Sequence, residues 1–104
     1  MSLWILNNAF VQFLGLCRKA GKLIAGTEKV KSSIKKEKAF LIILGSDISL
    51  KTEKEIKFLS KNIEVLRTKF KTEELSHAVG VKAGVFAVID KNFAEQIKLK
   101  GGTL

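Results

Sequence analysis

The stretch RKAGKLIAGTEKVKSSIKKEK, residues 18–38, predicts a turn, a short strand and a helix in direct succession. Gly21 is placed to end a preceding helix, residues 23–25 are apolar, and Gly26-Thr27 opens a helical pattern. A strand that passes through a glycine turn into a helix leaves backbone N–H groups free at the helix N-terminus, where they favour an anion. We therefore expect an anion-binding surface at Gly26-Thr27.

The same stretch carries most of the positive charge. Its eight Lys and Arg residues less two Glu give +6, out of a net +9 for the chain. Residues 39–90, in contrast, contain eight basic and seven acidic groups. Lysines that only keep a small protein soluble have no reason to be concentrated in this way. The local excess favours a polyanionic partner: RNA, DNA or an anionic membrane surface.

Length and composition restrict the class of protein. A chain of 104 residues suits a single domain, 1–104, and 46% hydrophobic with 28% charged residues is typical of a folded one. No apolar run approaches the roughly 18 residues of a membrane span, and the start of the chain lacks a signal-peptide pattern. One cysteine, Cys17, forms no internal disulfide, so we expect a reducing, cytoplasmic location.

Hydrophobic periodicity predicts five helices that alternate with four strands. The predicted helices cover 5–20, 27–36 and segments that begin near 52, 72 and 92, and the strands cover 23–25, 39–44, 63–67 and 83–89. The expected N-caps are Thr27, Thr52, Thr72 and Asn92. Residues 39–44 are apolar throughout, as in a strand covered on both faces. The pattern predicts a single-domain, three-layer α/β/α sandwich with a four-stranded sheet that is parallel or mixed. Of these two, we predict the mixed sheet.

Candidate catalytic residues do not form a set. His77 is the only histidine and reads as structural, and Asp47 at a strand end reads as the cap of a turn. Cys17 falls on the apolar stripe of the first helix and reads as a core residue. One His and one Cys are too few for a metal site, and the glycines match neither a dinucleotide fingerprint nor a P-loop. We expect no enzyme activity, no metal and no cofactor.

A second glycine turn, at Gly80, leads through Val81 and Lys82 into a strand. If the topology brings both turns to one end of the sheet, the first offers amides and lysines to phosphates. The second offers Val81 and Ala83 as small apolar supports for an unstacked base. The seven Phe and Trp4 fall mostly at core-like positions, which favours a folded RNA over a plain single strand.

Three segments, RKAGKLIAGTEKVKSSIKK, FLIILGSD and LSHAVGVKAGVFAVID, resemble the kink-turn-binding ribosomal protein superfamily of "seven-Ae" and "thirty-e" large-subunit proteins. The nearest subgroup is that of the small bacterial YlxQ-type proteins. The resemblance covers about residues 9–98. It implies an α/β/α sandwich, a non-catalytic role in a ribosome or another ribonucleoprotein, and binding of kinked RNA through two loops at one end.

The resemblance also implies contacts at particular residues. Gly26 and Thr27 match the Gly-Thr that starts the RNA-reading helix, and 81–83 match the loop that shelters a flipped-out nucleotide. Glu28-Lys29 stands where archaeal members have Asn-Glu, and Ser32 where they have Lys, so the kink-turn pattern is incomplete. The candidate RNA-binding residues are Lys22, Gly26, Thr27, Glu28, Lys29, Lys31, Ser32, Lys35, Val81, Lys82 and Ala83.

Two other classes of function remain open at the level of sequence. The basic face suits a protein-interaction module that docks an acidic partner. The chain also suits a substrate-recognition domain similar to the RNA-recognition part of some RNA methyltransferases, although it has no cofactor-binding segment of its own.

Overall fold

Helices and strands alternate along residues 8–101, the part of the chain that the computed structural model describes. The elements are α1 (Ala9–Lys19), β1 (Leu23–Ala25), α2 (Thr27–Lys35), β2 (Leu41–Leu44), α3 (Leu50–Leu59), β3 (Glu64–Arg67), α4 (Thr72–Val79), β4 (Val85–Val88) and α5 (Lys91–Gly101). This order confirms the predicted one. Three strands are one to three residues shorter than predicted, because pairing stops before the apolar runs do.

The strands form one mixed sheet in the order β1-β4-β2-β3. β2 pairs parallel with β3, with Leu41 opposite Glu64, and antiparallel with β4, with Leu41 opposite Val88. β1 pairs antiparallel with β4 on the other side. All four residues of β2 are buried. The central place predicted for this apolar strand and the mixed sheet are both confirmed.

Helices cover both faces of the sheet and build two hydrophobic clusters. One cluster joins α1, α4 and α5 to the sheet, and the other joins α2 and α3 to its opposite face. The first includes Phe10, Leu75, Ile97 and Ile43; the second includes Val30, Ile56 and Ile42. Neighbouring residues of β2 thus point to opposite faces, and the predicted three-layer α/β/α sandwich is confirmed.

Helix α1 begins later than predicted. Asn8 has an extended backbone, and its Oδ1 accepts hydrogen bonds from the N–H groups of Phe10 and Val11 at 2.9 and 3.2 Å. The helix therefore starts at Ala9, and residues 5–7 of the prediction lie outside the described range. At the other end Gly21 has φ 73°, the left-handed conformation predicted for it.

Thr27 and Thr72, predicted as N-caps, are instead the first residues of their helices. Gly26 precedes α2 with φ 106° and ψ 140°, and Lys71 precedes α4. The Asp47 carboxylate accepts from the Thr72 N–H at 2.9 Å and from its hydroxyl at 2.7 Å. Asp47 thus caps a helix that follows it by 25 residues, which gives this carboxylate a structural partner rather than a catalytic one.

The other two helix starts also lie earlier than predicted. Ser49 caps α3, since its Oγ accepts from the Thr52 N–H at 3.2 Å. Asp90 acts in the same way on α5, accepting from the Phe93 N–H at 2.9 Å, two residues before the predicted cap Asn92. Where several Ser, Thr, Asn and Asp residues lie close together, periodicity alone does not select the one that caps.

Helix α2 ends in a left-handed residue that is not glycine. Glu37 has φ 57°, and no other non-glycine residue between 8 and 101 has positive φ. Its N–H donates to the Ile34 carbonyl at 3.0 Å, and the Lys38 N–H donates to the Ser33 carbonyl at 2.9 Å. Glycine is the usual residue at this position of such a helix end, because it has no Cβ to strain.

Replacing Asp47 by Ala is expected to lower the free energy of unfolding by about 1 kcal/mol, the usual cost of a lost helix cap. The hydrogen bonds from Thr72 hold the pKa of Asp47 below its usual range. The charged form therefore contributes fully above the unfolded-state pKa, and its contribution is lost as pH falls through the lower folded-state value. Urea unfolding at pH 7 and pH 3 measures this contribution. The difference in the free energy of unfolding between the wild type and Asp47→Ala should be smaller at pH 3. Asp47→Asn, which keeps an acceptor, is the control, and an equal gap at both pH values would contradict the assignment.

Glu37→Gly is expected to raise the free energy of unfolding by about 0.5–1 kcal/mol. Relief of left-handed strain, about 1–2 kcal/mol, exceeds the added chain entropy of glycine, about 0.5–1 kcal/mol. Glu37→Ala removes the carboxylate but keeps the strain, so it should not reproduce the gain. Urea midpoints at constant m-value provide the comparison. A gain of equal size in both variants would assign the effect to charge rather than to the backbone.

Candidate nucleic-acid interface

The two glycine turns lie at the same end of the sheet. β1 ends at Ala25, and the Gly26 N–H donates to the Val85 carbonyl at 2.9 Å. The segment 80–84 leads into the same residue, Val85, where β4 begins. Ala25 and Val81 also pack against the same hydrophobic cluster. Antiparallel pairing of β1 with β4 therefore meets the topological condition that the sequence left open.

The first turn presents an open helix N-terminus. The Val30 N–H already bonds to the Gly26 carbonyl at 2.9 Å, so the N–H groups of residues 27–29 are the ones that a helix leaves without a backbone partner. The N-cap residue is Gly26, which has no side chain to cap them, and within residues 8–101 no side-chain hydrogen bond to these groups is found. A Cβ added at Gly26 would meet no atom within 4 Å, so the space in front of this backbone is open. A ligand can approach closely here.

Lys31, one of the candidate RNA-binding residues, is directed towards α3. Its Nζ lies 2.6 Å from Glu55 and 3.4 Å from Glu28, and its side chain is 20% exposed. The hydrogen bond to Glu55 raises the pKa of Lys31, and the same bond lowers the pKa of Glu55. A carboxylate 24 residues away in the sequence thus neutralises this ammonium. It is not free for a phosphate.

The contact with Lys31 also explains why a negatively charged side chain, that of Glu28, is tolerated at this position. Glu28 lies in the first turn of α2, where negative charge suits the helix dipole, and its charge is partly balanced at 3.4 Å. The Glu28 side chain remains 86% exposed. It therefore stays available to a donor group of a ligand at the turn.

The other predicted residues of α2 and its approach are divided between two places. Lys29 and Lys35 are exposed and form no ion pair among the residues that the structure describes, and Ser32 is half-buried. Lys22 lies at the opposite end of β1, where its carbonyl accepts from the Ile89 N–H at 3.0 Å. The structure thus brings Lys29 to the side of the Gly26 turn but does not bring Lys22 there.

The second turn offers fewer accessible groups than predicted. Gly80 ends α4 in the left-handed conformation, with φ 87°. Ala83 is only 8% exposed, and its N–H and carbonyl both bond to the Ser76 hydroxyl at 2.9 Å. Its methyl group therefore cannot support a base. Val81, which is half-buried, and Lys82, which is exposed, remain within reach of a ligand.

Arg18 is a cation near the second turn that the list of candidates omitted. Its Nη1 donates to the Val79 carbonyl at 3.3 Å, and a Cβ added at Gly80 would lie 3.2 Å from the same nitrogen. Arg18 belongs to the basic stretch, but its sequence position indicated only the end of a helix. The packing of α1 against α4, 61 residues apart, sets this contact.

The groups considered for catalysis are placed as structural residues or on the surface. Burial raises the pKa of Cys17 to about 11, so this thiol is a poor nucleophile. His77 is exposed on α4 near Glu73 and Glu74. Within residues 8–101 no group of three or more His, Cys, Asp and Glu is placed to hold a metal ion. The same range contains no helix long and apolar enough to cross a membrane.

Comparison with known sequences identifies relatives over nearly the whole chain. Residues 9–99 match the family described as Ribosomal protein L7Ae/L30e/S12e/Gadd45. A protein of Enterococcus faecium named RNA-binding protein YlxQ is 34% identical over 89 residues, which are 85% of this chain and 86% of that protein.

Solved structures are similar as well. A protein of unknown function from Bacillus halodurans C superposes with a TM-score of 0.86 at 25% identity, covering 92% of this chain and 99% of that one. The Giardia lamblia 15.5kD RNA binding protein gives a TM-score of 0.74 at 11% identity, over 89% and 82% of the two chains, which shows the shared fold. The family match over residues 9–99 and the bacterial relative confirm the resemblance found in the sequence: the chain belongs to the ribosomal protein L7Ae/L30e/S12e/Gadd45 family.

Proposed function

We propose that this protein is a non-catalytic RNA-binding protein that holds a folded RNA at the end of the sheet where Gly26 and Val81 lie. The observation that carries the proposal is the meeting of an open helix N-terminus, unpaired cations and an accessible loop at one place. The name of the Enterococcus faecium relative supports RNA as the ligand. We place this role in a ribosome or another ribonucleoprotein of the cytoplasm, the compartment that a single buried thiol favours.

The first turn, at Gly26, suits phosphate groups of the RNA. The N–H groups of residues 27–29 and the ammonium of Lys29 suit an oxyanion at the start of α2. Beside the second turn the guanidinium of Arg18 donates to a neutral carbonyl, that of Val79, and forms no ion pair within residues 8–101. Lys82 adds a further exposed cation. These cations flank the two turns, so a backbone bound across both would meet positive charge on each side.

The second turn, at Gly80 to Ala83, suits an RNA base. Val81 presents a half-buried apolar side chain, against which an unstacked base can rest. Glu28 accepts hydrogen bonds from base amino groups and repels phosphates, so it favours base edges at the centre of the site. A kinked RNA supplies both an exposed base and closely spaced backbones. A kink-turn is therefore the RNA class that we propose, with Glu28 and Ser32 as departures from the archaeal pattern.

The aromatic side chains favour a folded RNA over a plain single strand. Phe40 and Phe58 are exposed, at 45% and 76%, but Phe40 directly precedes β2 and Phe58 lies in the last turn of α3. Both places lie at the end of the sheet away from Gly26. Phe70 and Phe86 are buried in the core. Within residues 8–101, the two turns thus carry no aromatic platform of the kind that binds unstructured strands.

Lys29→Glu combined with Lys82→Glu is expected to weaken RNA binding at least tenfold, because two phosphate contacts become repulsive. Fluorescence anisotropy with a labelled kink-turn RNA measures the loss. For the wild type, if about four phosphates are neutralised, raising salt from 50 to 200 mM should weaken binding about a hundredfold. The matched control is Lys61→Glu with Lys91→Glu, two exposed lysines at the other end of the sheet. An equal loss in the control pair would show that only net charge matters.

Val81→Asp is expected to weaken binding of a kink-turn RNA about tenfold and to leave binding of a plain hairpin almost unchanged, because a carboxylate cannot support an unstacked base. Val81→Leu, which keeps an apolar surface, is the control. Both RNAs are titrated against each variant and the wild type. Equal, weak binding of both RNAs to the wild type would remove the kink-turn assignment. Retention of the protein by a cellular complex after ribonuclease treatment would favour an acidic protein partner instead.

A further inference from the structure

A shallow groove of about 220 Å³ lies beside the proposed site, between α2 and β1. Within residues 8–101 β1 is an edge strand of the sheet, so no other described strand covers this side of the groove. The groove is lined by Ile24, Lys29, Ser32, Ser33, Lys36 and Lys38. Lys36 and Lys38 have no part in the proposed contacts at the two turns. We refer to this set of six residues as the α2 groove.

The spacing of the polar residues makes the groove a continuous track. Lys29, Ser32 and Lys36 follow one another at intervals of three and four, which places them along one face of α2 and its C-cap residue, Lys36. The helical rise separates Lys29 from Lys36 by about 10 Å along the axis. If the strand keeps the stacked rise of about 3.4 Å per nucleotide found in one strand of duplex DNA, this length corresponds to roughly three nucleotides. The track starts beside the Gly26 turn and leads away from it.

The charges along the track are free, unlike that of Lys31 on the other side of the helix. Lys29, Lys36 and Lys38 have no carboxylate partner among residues 8–101. Glu37, the acidic residue between the last two, instead lines a cavity on another side with Ile34 and Ile63. The nearest acidic group at the other end, that of Glu28, lies towards Lys31.

The hydroxyl groups divide in the same way. Ser33 donates its hydroxyl to the Val30 carbonyl at 2.7 Å and is buried. Ser32 is half-buried, and its hydroxyl makes no hydrogen bond within the described part of the chain. A hydroxyl and three ammonium groups that line one groove are donors without acceptors in the described part of the chain, which is the complement of a row of phosphate oxygens.

We propose that the α2 groove binds the phosphate backbone of a single-stranded segment that continues from the RNA held at Gly26. This inference rests on the proposed RNA-binding function and adds a second part to the ligand. Lys29, Ser32, Lys36 and Lys38 contact phosphates, and Ile24 lies beneath the sugars. Because these contacts are made to phosphates and sugars, the track reads no base edge. It adds affinity and salt dependence without adding sequence preference.

The test compares a kink-turn RNA with the same RNA carrying four single-stranded uridines at its 5′ or its 3′ end. At 100 mM KCl the wild-type protein is expected to bind one of the extended RNAs about tenfold tighter than the unextended one, with a steeper salt dependence. Lys36→Gln with Lys38→Gln should abolish this gain and leave binding of the unextended RNA within about twofold. Lys61→Gln with Lys91→Gln, at exposed positions outside the groove, should retain the gain.

Three results overturn the inference. Equal binding of extended and unextended RNAs to the wild type would contradict the inference. The lysines would then serve only to keep the edge strand β1 from pairing with another chain. A gain that survives in the Lys36→Gln, Lys38→Gln variant would place the extension elsewhere. Failure of every RNA to bind would overturn the proposed function together with the groove, whereas unextended binding without a gain overturns the groove alone. Thermal unfolding of each variant confirms that these exposed substitutions preserve the fold.

Discussion

The pairing of β1 with β4 is the interaction on which the proposed site depends. β1 has only three residues, and two hydrogen bonds enclose it: Gly26 N–H to the Val85 carbonyl at 2.9 Å and Ile89 N–H to the Lys22 carbonyl at 3.0 Å. This antiparallel pair places the end of β1 beside the start of β4, so the turns before α2 and before β4 meet. A slip of one residue would move the side chain of Ala25 to the other face of the sheet. The contact that Ala25 shares with Val81 through one cluster would then be lost.

The same end of the sheet is held by ion pairs that join one buried carboxylate to two exposed cations. Glu53 is 9% exposed and pairs with Lys57 at 2.9 Å and with Arg67. The hydrogen bond from Lys57 is the main cause that lowers the pKa of Glu53, so the carboxylate stays charged. Arg67 in turn donates to the Ser46 carbonyl at 2.7 Å. The loop after β2 is thereby fixed, and Asp47 within it caps α4. The segment that carries Val81 thus leaves a helix whose start is anchored to the centre of the sheet.

Residue patterns predicted the features that depend on burial of apolar surface. They did not predict the side-chain contacts in which one polar group could bond to any of several partners. The unbroken apolar run at 39–44 was sufficient to predict a central strand, because only such a strand is covered on both faces. The orientation of Lys31 depends on Glu55, which packing brings near from another helix. Burial of Ala83 depends on the Ser76 hydroxyl, which holds both polar groups of its backbone. The contact of Arg18 with α4 likewise follows from helix packing. The spacing of residues along the sequence does not predict these contacts, because each depends on how distant segments pack.

The division of α2 into two sides limits how an RNA can lie on it. One side carries Lys31, neutralised by Glu28 and Glu55, and offers no net attraction to a phosphate. The other side carries Lys29, whose charge is not balanced by a carboxylate in the described part of the chain. A backbone is therefore favoured along the side of β1 and disfavoured along the side of α3. Glu28, between the two, accepts hydrogen bonds but repels phosphate, so a base edge or a 2′-hydroxyl suits that point. The negative charge at the centre of a basic face is consistent with RNA binding, because it orients the ligand rather than attracting it.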